Sequence, residues 1–369
     1  MKSILVGNGI NIQIGGRDYT NHKIITRLLS NLETNDYSRV FAGKINNEQL
    51  KVVLNGIHGE LKKILRGEYD IYCSTPDEKQ TLERVKKQYT LSSSMFSVGM
   101  EDYFFIFLLI HKKYHDSEII KRATHDGMCF LFLDAIYNNG DIQKLSERLS
   151  AVKREKLYNL FSEFDDIFTV NYDCNIEKLS GRKVYHLHGD FNTLYDQYDT
   201  NTCIGKAYEK LGEENPVTPD TRHIYCNAIM GFCGPYKEEV MRSFQKSKSA
   251  LEFVTLKVKT DSSVDENMGK FKYSKDTQER LAYAMYEALR ENPNLGYLDY
   301  HKEDLEKISG ELSIAGLSPN NDDHIWGILR NNSKLAKITY YYKSQEDKET
   351  VESLYADMNI TTVPVEKLW

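Results

Sequence analysis

Two short apolar runs, each ending in polar residues, most constrain what this chain can fold into. Ile167–Val170 leads into Asn171 and Asp173, and Val184–Leu187 leads into His188. Each run is short, bounded by polar residues and rich in β-branched or aromatic side chains, which favours a buried strand. Open α/β sheets place ligand sites at the carboxyl ends of their strands. The three polar residues are therefore candidates for one shared pocket.

A β-α-β unit is the simplest arrangement for this part of the chain. The sequence favours a short helix over Asn175–Leu179, stopped by Gly181, between the two strands. Upstream, Asp141 is a candidate N-cap for a helix over Ile142–Glu163, whose apolar residues recur at helical spacing. That helix would lead directly into the first of the two strands.

Further strands are predicted near both ends of the chain. An early strand is predicted at Ser3–Val6, and late strands at Leu312–Ala315, Ala336–Tyr342 and Ile360–Val363, with helical patterns between the late ones. Strands that alternate with helices favour a parallel, doubly wound sheet. The predicted class is α/β, a Rossmann-like parallel sheet with large, mainly helical insertions.

The rest of the chain has mainly helical periodicity and divides the sheet into three pieces. We predict one sheet domain formed by residues 1–20, 141–191 and 308–369, with helical insertions at 21–140 and 192–307. The long apolar run Tyr103–Ile110 is predicted to be a buried core helix. In the second insertion, helices are predicted at Glu238–Leu251 and Asp276–Arg290, and a strand at Phe253–Val258.

Composition excludes several classes of protein. The net charge of −6, from 54 acidic and 48 basic residues, gives no bulk positive field, so no direct nucleic-acid site is predicted. The longest apolar run falls far short of the roughly 20 residues that span a bilayer, so no membrane association is expected. Six scattered cysteines without a Cys-x-x-Cys pair indicate reduced thiols, a cytoplasmic protein and no structural zinc.

The first loop carries glycines where a nucleotide loop would. Gly7-Asn8-Gly9 follows the early strand and precedes a helical stretch, and glycines there let the backbone approach a pyrophosphate. The dinucleotide fingerprint is incomplete, because Ile12 holds the third glycine position and no acidic residue follows at the usual spacing. Nucleotide binding and a tight structural turn both remain open.

The polar strand-end residues also have two interpretations. Asn171 can hydrogen-bond ribose hydroxyls or orient a water molecule, but Asn171 and Asp173 can equally cap the following helix. His188 titrates near neutral pH and can act as a general base, or it can be structural. His186 would face the same side of a strand as His188, as half of a metal site would require. Because no third ligand is evident, no metal site is predicted.

A fourth strand end has similar chemistry. Gly316-Leu317-Ser318-Pro319-Asn320-Asn321-Asp322-Asp323 follows a predicted strand and precedes a helix predicted at Asp322–Leu329. Gly316 and Ser318 can contact a phosphate or ribose. The alternative is a turn in which an asparagine or aspartate is the N-cap.

Taken together, these segments resemble the sirtuin-like superfamily. The resemblance lies in four motifs in the family's order: Ile4-Leu5-Val6-Gly7-Asn8-Gly9-Ile10-Asn11, Thr169-Val170-Asn171-Tyr172-Asp173, Leu187-His188-Gly189 and Ile314-Ala315-Gly316-Leu317-Ser318. They resemble its nucleotide loop, its Thr-x-Asn-x-Asp motif, its catalytic His-Gly and its late Gly-x-Ser strand end. A related abortive-infection family has a similar Gly-Asn-Gly loop, but Asn-Tyr-Asp favours the sirtuin-like group.

The resemblance implies a Rossmann-like domain that binds NAD and breaks the bond between nicotinamide and ribose. It implies that Asn171 holds the ribose or positions the attacking water, that His188 is the general base, and that Asp173 hydrogen-bonds near the nicotinamide amide. The residues implied to line the dinucleotide are Gly7, Asn8, Gly9, Asn11, Gly189, Gly316 and Ser318.

Departures from the family narrow the expected reaction. Sirtuin deacylases have a four-cysteine zinc module, and this chain has no such spacing. Water is then the expected acceptor, and the chain looks more like the antiphage-defence branch, whose members deplete cellular NAD when triggered. Members of that branch commonly oligomerise, and one subgroup works with a hexameric HerA-type ATPase, so a homo-oligomer and such a partner are implied.

Other functions remain open alongside NAD hydrolysis. One is a non-catalytic nucleotide-sensing or assembly subunit, and another is a protein deacylase or ADP-ribosyltransferase. Because an enzyme that consumed NAD constantly would kill its host, the hydrolase hypothesis requires a gate. The helical insertions are candidates for that gate and for subunit contacts.

Overall fold

The computed structural model describes residues 1–41, 45–231, 233–261, 263–319 and 322–368. Within these residues a single all-parallel sheet has the strand order β3-β2-β1-β4-β5-β6. The strands are β1 (Lys2–Val6), β2 (Asp166–Thr169), β3 (Tyr185–His186), β4 (Gly310–Ala315), β5 (Leu335–Tyr342) and β6 (Ile360–Pro364). The predicted α/β, Rossmann-like class is confirmed.

Helices make up most of the remaining chain. They are α1 (Gly9–Gly15), α2 (Asn21–Thr34), α3 (Ser38–Phe41), α4 (Asn47–Leu65), α5 (Pro76–Gln88), α6 (Met100–Tyr114), α7 (Glu118–Tyr137), α8 (Ala151–Ser162), α9 (Asn175–Ser180), α10 (Cys203–Lys210), α11 (Gly234–Thr260), α12 (Ser263–Gly269), α13 (Thr277–Glu291), α14 (Lys302–Lys307), α15 (Asp323–Asn331) and α16 (Gln345–Leu354). None of the described helices has both the length and the apolar character needed to cross a bilayer. The division into one domain and two insertions stays a prediction.

The carboxyl ends of the four strands nearest the chain's polar motifs lie level with one another. Val6 of β1 is in register with Thr169 of β2 and with Ala315 of β4, and Thr169 is in register with His186 of β3. The strand order reverses between β1 and β4, which is the switch point where open α/β sheets bind ligands.

Helices cover both faces of the sheet. Ile4 and Val6 of β1 pack on one face with apolar side chains of α8 and α9, such as Phe161. Leu5 points to the other face and packs with side chains of α14, α15 and α16, such as Trp326. Because neighbouring strand residues face opposite sides, β1 is apolar throughout, as expected for a central parallel strand.

A separate helical core forms between α2, α4, α6 and α7. Tyr103–Ile110 lies within α6 and is largely buried in this core, so the predicted core helix is confirmed. The core also holds a buried carboxylate, Asp134. Its oxygens accept hydrogen bonds from Asn31 (2.8 Å), Tyr37 (2.5 Å), Asn35 (3.4 Å) and His223 (2.9 Å).

The prediction of one helix over Ile142–Glu163 is wrong, because this segment contains two helices. A 3-10 helix covers Ile142–Arg148, and α8 begins after Ser150, whose side chain caps it. The amide of Asn175 donates to the carbonyl oxygen of Ile142 (2.7 Å) and accepts from the N–H of Ser146 (3.0 Å). Those two groups would bond each other in an α-helix, so Asn175 replaces that bond. Asp141 makes no capping bond there.

The strand predicted at Phe253–Val258 is also wrong, because these residues continue α11. Leu251 and Val254, about one helical turn apart, pack near Leu289 and Cys203. This packing favours the helix over the local strand preference of β-branched residues.

Candidate active site

The loops after β1 and β4 pack directly against each other at the switch point. The N–H of Gly9 donates to the carbonyl oxygen of Gly316 (3.0 Å), and the N–H of Gly7 donates to that of Ala315 (2.9 Å). A Cβ on Gly7 would lie 2.5 Å from the Gly316 oxygen, and one on Gly9 would lie 2.6 Å from the Gly316 Cα. The close approach of the two backbones therefore accounts for these glycines by packing alone.

Asn8 and Ser318 lie on the exposed side of these loops. The Asn8 side chain donates to the carbonyl oxygen of Tyr19 (3.1 Å). Asn320 and Asn321, part of the predicted turn, lie outside the described residues. The two exposed residues flank the switch point, whereas the other predicted polar residues are buried beneath it.

Asn171 turns from the end of β2 toward the β1 loop. Its Nδ2 donates to the carbonyl oxygen of Gly7 (3.3 Å), and its N–H donates to the hydroxyl of Thr169 (3.0 Å). The side chain is buried. The structure thus brings Asn171 and the glycine loop together.

Both carboxylate oxygens of Asp173 are engaged by asparagines. One accepts from Nδ2 of Asn11 (2.5 Å), and the other accepts from the N–H (3.0 Å) and Nδ2 (2.6 Å) of Asn175. Burial raises the pKa of Asp173, although these hydrogen bonds oppose that effect. Asp173 therefore connects α1 to the start of α9. Oδ1 of Asn11 is enclosed and has no partner among the described residues.

His186 and His188 do not share a site, because β3 ends between them. His186 contacts the carbonyl oxygen of Asn171 (2.9 Å) and the carboxylate of Glu177 (2.5 Å). His188 lies past the strand, followed by Gly189, whose φ is +78°. The alternation that would put both rings on one face no longer applies there. A Cβ on Gly189 would lie 2.3 Å from the carbonyl oxygen of Asn227.

His188 instead meets residues that follow β4. Its Nε2 lies 2.9 Å from Nε2 of His324, the two rings lie within 17° of parallel, and Oδ1 of Asp322 is 3.8 Å away. All three side chains are buried. Because β2 and β1 lie between β3 and β4, these two strands are about three strand spacings apart, roughly 14 Å. The segments that follow β3 and β4 therefore bridge this distance at the carboxyl edge of the sheet.

A buried lysine from the second helical segment completes the cluster. Nζ of Lys237, in the first turn of α11, lies 3.0 Å from Oδ1 of Asp322 and 3.6 Å from Oε1 of Glu101 at the start of α6. Gly234 of the same turn packs against His324, because a Cβ added to Gly234 would lie 2.8 Å from the backbone nitrogen of His324. The cluster therefore joins α6, α11, α15 and the loop after β3.

Burial, with a contribution from the Lys237 ammonium, favours the neutral form of both imidazoles. Burial, together with the Lys237 ammonium, holds the pKa of His188 well below its usual range and lowers that of His324 to about 3. Burial alone would raise the pKa of Asp322, but the Lys237 ammonium outweighs this effect and the pKa is lowered to about 2. Burial lowers the pKa of Lys237, yet Asp322 and Glu101 outweigh that effect and raise it.

By residue type, His188, Asp322 and His324 could hold a metal ion, since their ligand atoms lie within 4.8 Å of one another. Two observations count against this role. The Nε2 atoms lie at hydrogen-bond distance from each other, and the Lys237 ammonium already pairs with the carboxylate. A dication beside that ammonium would be repelled. The donor set therefore fits a metal poorly.

Sequence reasoning missed four members of this cluster: Glu101, Lys237, Asp322 and His324. Asp322 holds the N-cap position of α15, but its side chain makes no capping bond. The positions of Asp322 and His324, four and six residues after Ser318 at the fourth strand end, are the sequence signal that could have identified them. Glu101 and Lys237 lie in the first turns of helices distant in sequence, and no local motif marks them.

Comparison with known proteins gives no further assignment, because no protein-family model, curated protein or solved structure matches this chain.

Proposed function

We propose that this chain is an NAD glycohydrolase that cleaves NAD to nicotinamide and ADP-ribose. The observation that carries the proposal is the convergence of the four sirtuin-like motifs at one sheet edge. The loops at Gly7 and Gly316 meet at the switch point, and Asn171 bonds the first of them. Switch points are where doubly wound folds bind dinucleotides. The antiphage role and depletion of cellular NAD are proposed on the resemblance alone.

In the proposed reaction, water attacks C1′ of the ribose that carries nicotinamide. The C1′–N bond breaks, its electron pair leaves with nicotinamide, and His188 removes the proton from the attacking water. A neutral imidazole is the form that accepts this proton. The carboxylate of Asp322, 3.8 Å from Nε2, would offset the positive charge that develops on the ring.

Asn171 and Asn11 are the proposed polar contacts to NAD. Asn171, held by Gly7, would hold the ribose or position the water. Oδ1 of Asn11 is an enclosed acceptor without a partner among the described residues, which suits a ribose hydroxyl or the carboxamide. Asp173 then acts through Asn11, by fixing its amide, rather than by direct contact with nicotinamide.

The described conformation corresponds to a closed state of the proposed enzyme. Asn11, Asn171 and His188 are all buried, and Lys237 and Gly234 of α11 lie over the residues after β4. Movement of the first turn of α11 is therefore part of the proposal. It would give the helical segment the gating role that an NAD-consuming enzyme requires.

Nicotinamide release from NAD tests the proposal. The full chain is assayed alone and with a HerA-type ATPase, and its assembly state is recorded. Since a positioned general base contributes about 10²–10⁴-fold, His188→Ala should lose at least about 100-fold in kcat. His223→Ala, which removes a buried histidine from the Asp134 network, is the matched control and should keep its activity. Absence of turnover under every condition, or full turnover by His188→Ala, would sink the proposal.

A non-catalytic nucleotide sensor is the second candidate, and the depressed pKa of His188 favours it, because that imidazole is a weak base. It predicts NAD or ADP-ribose binding without turnover, with Asn171→Ala changing assembly rather than rate. Transfer of label from the ADP-ribose part of NAD to a protein would instead support a transferase, and transfer of an acyl group from a protein lysine to ADP-ribose would support a deacylase.

A further inference from the structure

The His188–His324 contact contains one proton whose position matters for the proposed base. Two neutral imidazoles with Nε2 atoms 2.9 Å apart form one N–H···N bond. Either ring can be the donor. The acceptor ring must then have its own proton on Nδ1.

The surroundings of the two Nδ1 atoms differ. Nδ1 of His324 is enclosed and has no hydrogen-bond partner among the described residues. Neither ring nitrogen of His188 is both enclosed and unpartnered in this way. A proton on Nδ1 of His324 would therefore be a buried donor without an acceptor, which is the rarer and costlier arrangement. A proton on Nδ1 of His188 avoids this cost.

The neighbouring charges remove the remaining possibility, a proton on both nitrogens of one ring. Lys237 from α11 is the cation that faces the pair, and its ammonium already pairs with Asp322 and lies 3.6 Å from Glu101 of α6. A second buried cation beside it would be repelled. Each ring therefore has a single proton.

We propose that His324 is a positioning residue that sets the tautomer of His188, donating its Nε2–H to Nε2 of His188 and thereby occupying that lone pair in the closed state. This inference rests on the proposed function for its consequence, because it makes the contact a brake on the base. Breaking this hydrogen bond, as a movement of α11 would do, frees the Nε2 lone pair of His188 and releases the brake. No bond other than this hydrogen bond changes in the step.

Nuclear magnetic resonance of the full chain with ¹⁵N-labelled histidine tests the tautomers directly. The chain has 10 histidines, and His188→Gln and His324→Gln assign the two signals by their loss. The expected result is a proton on Nδ1 of His188 and on Nε2 of His324, with the His188 signal redistributing between tautomers in His324→Phe. A proton on Nε2 of His188 in the unmodified chain would overturn the proposal.

Nicotinamide release without any trigger tests the consequence. His324→Phe keeps a ring but loses the bond, so we expect a basal rate at least about ten times that of the unmodified chain. His324→Gln keeps a hydrogen-bond donor near Nε2 of His188, so its basal rate should rise less. The control His223→Phe, in the Asp134 network, should not change the rate. A fall in rate for His324→Phe at unchanged folding, with the other tautomer seen by resonance, would reject the brake.

Failure of the two proposals can be told apart. If the chain releases no nicotinamide under any trigger, the NAD glycohydrolase proposal fails, while the tautomer measurement still decides the role of His324. If turnover occurs and the tautomers are reversed, the positioning role of His324 is wrong and the NAD glycohydrolase proposal stands.

Discussion

The chain buries two aspartates beside histidines, and their surroundings are opposite in kind. Asp134, in the helical core, accepts hydrogen bonds from two asparagines, Tyr37 and His223. Burial raises its pKa, but His223 and Tyr37 outweigh that effect and lower it. Several partners with short bonds hold this carboxylate in one arrangement, as expected of a structural network.

Asp322, at the sheet edge, is held mainly by charge. Its carboxylate accepts a hydrogen bond from the Lys237 ammonium (3.0 Å), and the imidazole of His188 lies 3.8 Å away. Nδ1 of the adjoining His324 is enclosed and has no hydrogen-bond partner within the described part of the chain. A buried polar network that is fully satisfied fixes a fold, whereas one left incomplete is available for a ligand or a proton. The comparison therefore favours the Asp322 cluster over the Asp134 network as the proposed functional site.

The largest effect is expected from Lys237→Met. Removing one partner of a buried ion pair leaves Asp322 as an uncompensated buried charge, which typically costs about 3–5 kcal/mol. Denaturant unfolding at pH 7 measures the change. The exposed pair Lys343–Glu366 supplies the control, since Lys343→Met should change the free energy of unfolding by less than about 1 kcal/mol. Similar losses in both variants would contradict the role assigned to Lys237.

The free energy of unfolding should also decrease as the pH falls, in a window set by the pKa of His324. The pKa of His324 is about 3 in the folded chain and about 6.5 when unfolded, so protons bind the unfolded state first as the pH falls below 6.5. Each pH unit costs about 1.4 kcal/mol, or about 2 kcal/mol between pH 6 and 4.5. Unfolding curves of the chain and of His324→Gln should diverge by this amount.

Asp134 provides the contrast for that window. Its pKa is lowered, so its stabilisation is present above the unfolded value near 3.9 and is lost only as the pH falls through the folded value. It should add nothing to the slope between pH 6 and 4.5. Equal slopes for the chain and His324→Gln would show that His324 is not kept neutral by folding.

A smaller effect is expected from Tyr37→Phe in the Asp134 network. It removes one hydrogen bond to a buried carboxylate while Asn31, Asn35 and His223 remain, so a loss of about 1.5 kcal/mol is expected. Tyr273→Phe, at a largely exposed tyrosine, should cost almost nothing. Nicotinamide release by the folded Tyr37→Phe variant should equal that of the unmodified chain, and a large fall would make this network part of the function.

The smallest effect should come from added zinc. Because Lys237 already neutralises Asp322, Zn²⁺ should give no measurable rise in Tm, whereas a bound ligand would raise it in proportion to its occupancy. A rise that disappears in His324→Phe would show that His188, Asp322 and His324 hold a metal after all.

Much of the sheet was predictable because its signals are local. The early strand, the two strands around α9 and the three late strands were each predicted within a few residues. Where prediction failed, distant residues decided the outcome. The amide of Asn175 interrupts the helix over Ile142–Glu163, and packing of α11 against α10 and α13 favours the helix at Phe253–Val258.

The site was predictable in part. Asn171, Asp173 and His188 were recognised as strand-end residues, but their partners were not. The Asp173 carboxylate accepts hydrogen bonds from Asn11 and Asn175, whereas His188 contacts His324. No pattern in the sequence separates these two outcomes, because each depends on which loop arrives at the same edge of the sheet.

By itself the sequence determined the α/β class, the strands and the polar residues at their ends, because hydrophobic periodicity and strand-end chemistry act over a few neighbouring residues. Only the tertiary structure decided that Lys237 and Glu101 enter the cluster, that His188 and His324 meet at hydrogen-bond distance and that these side chains are buried. These features require residues separated by 85 to 136 positions to meet in a buried, low-dielectric space, where their charges set one another's protonation.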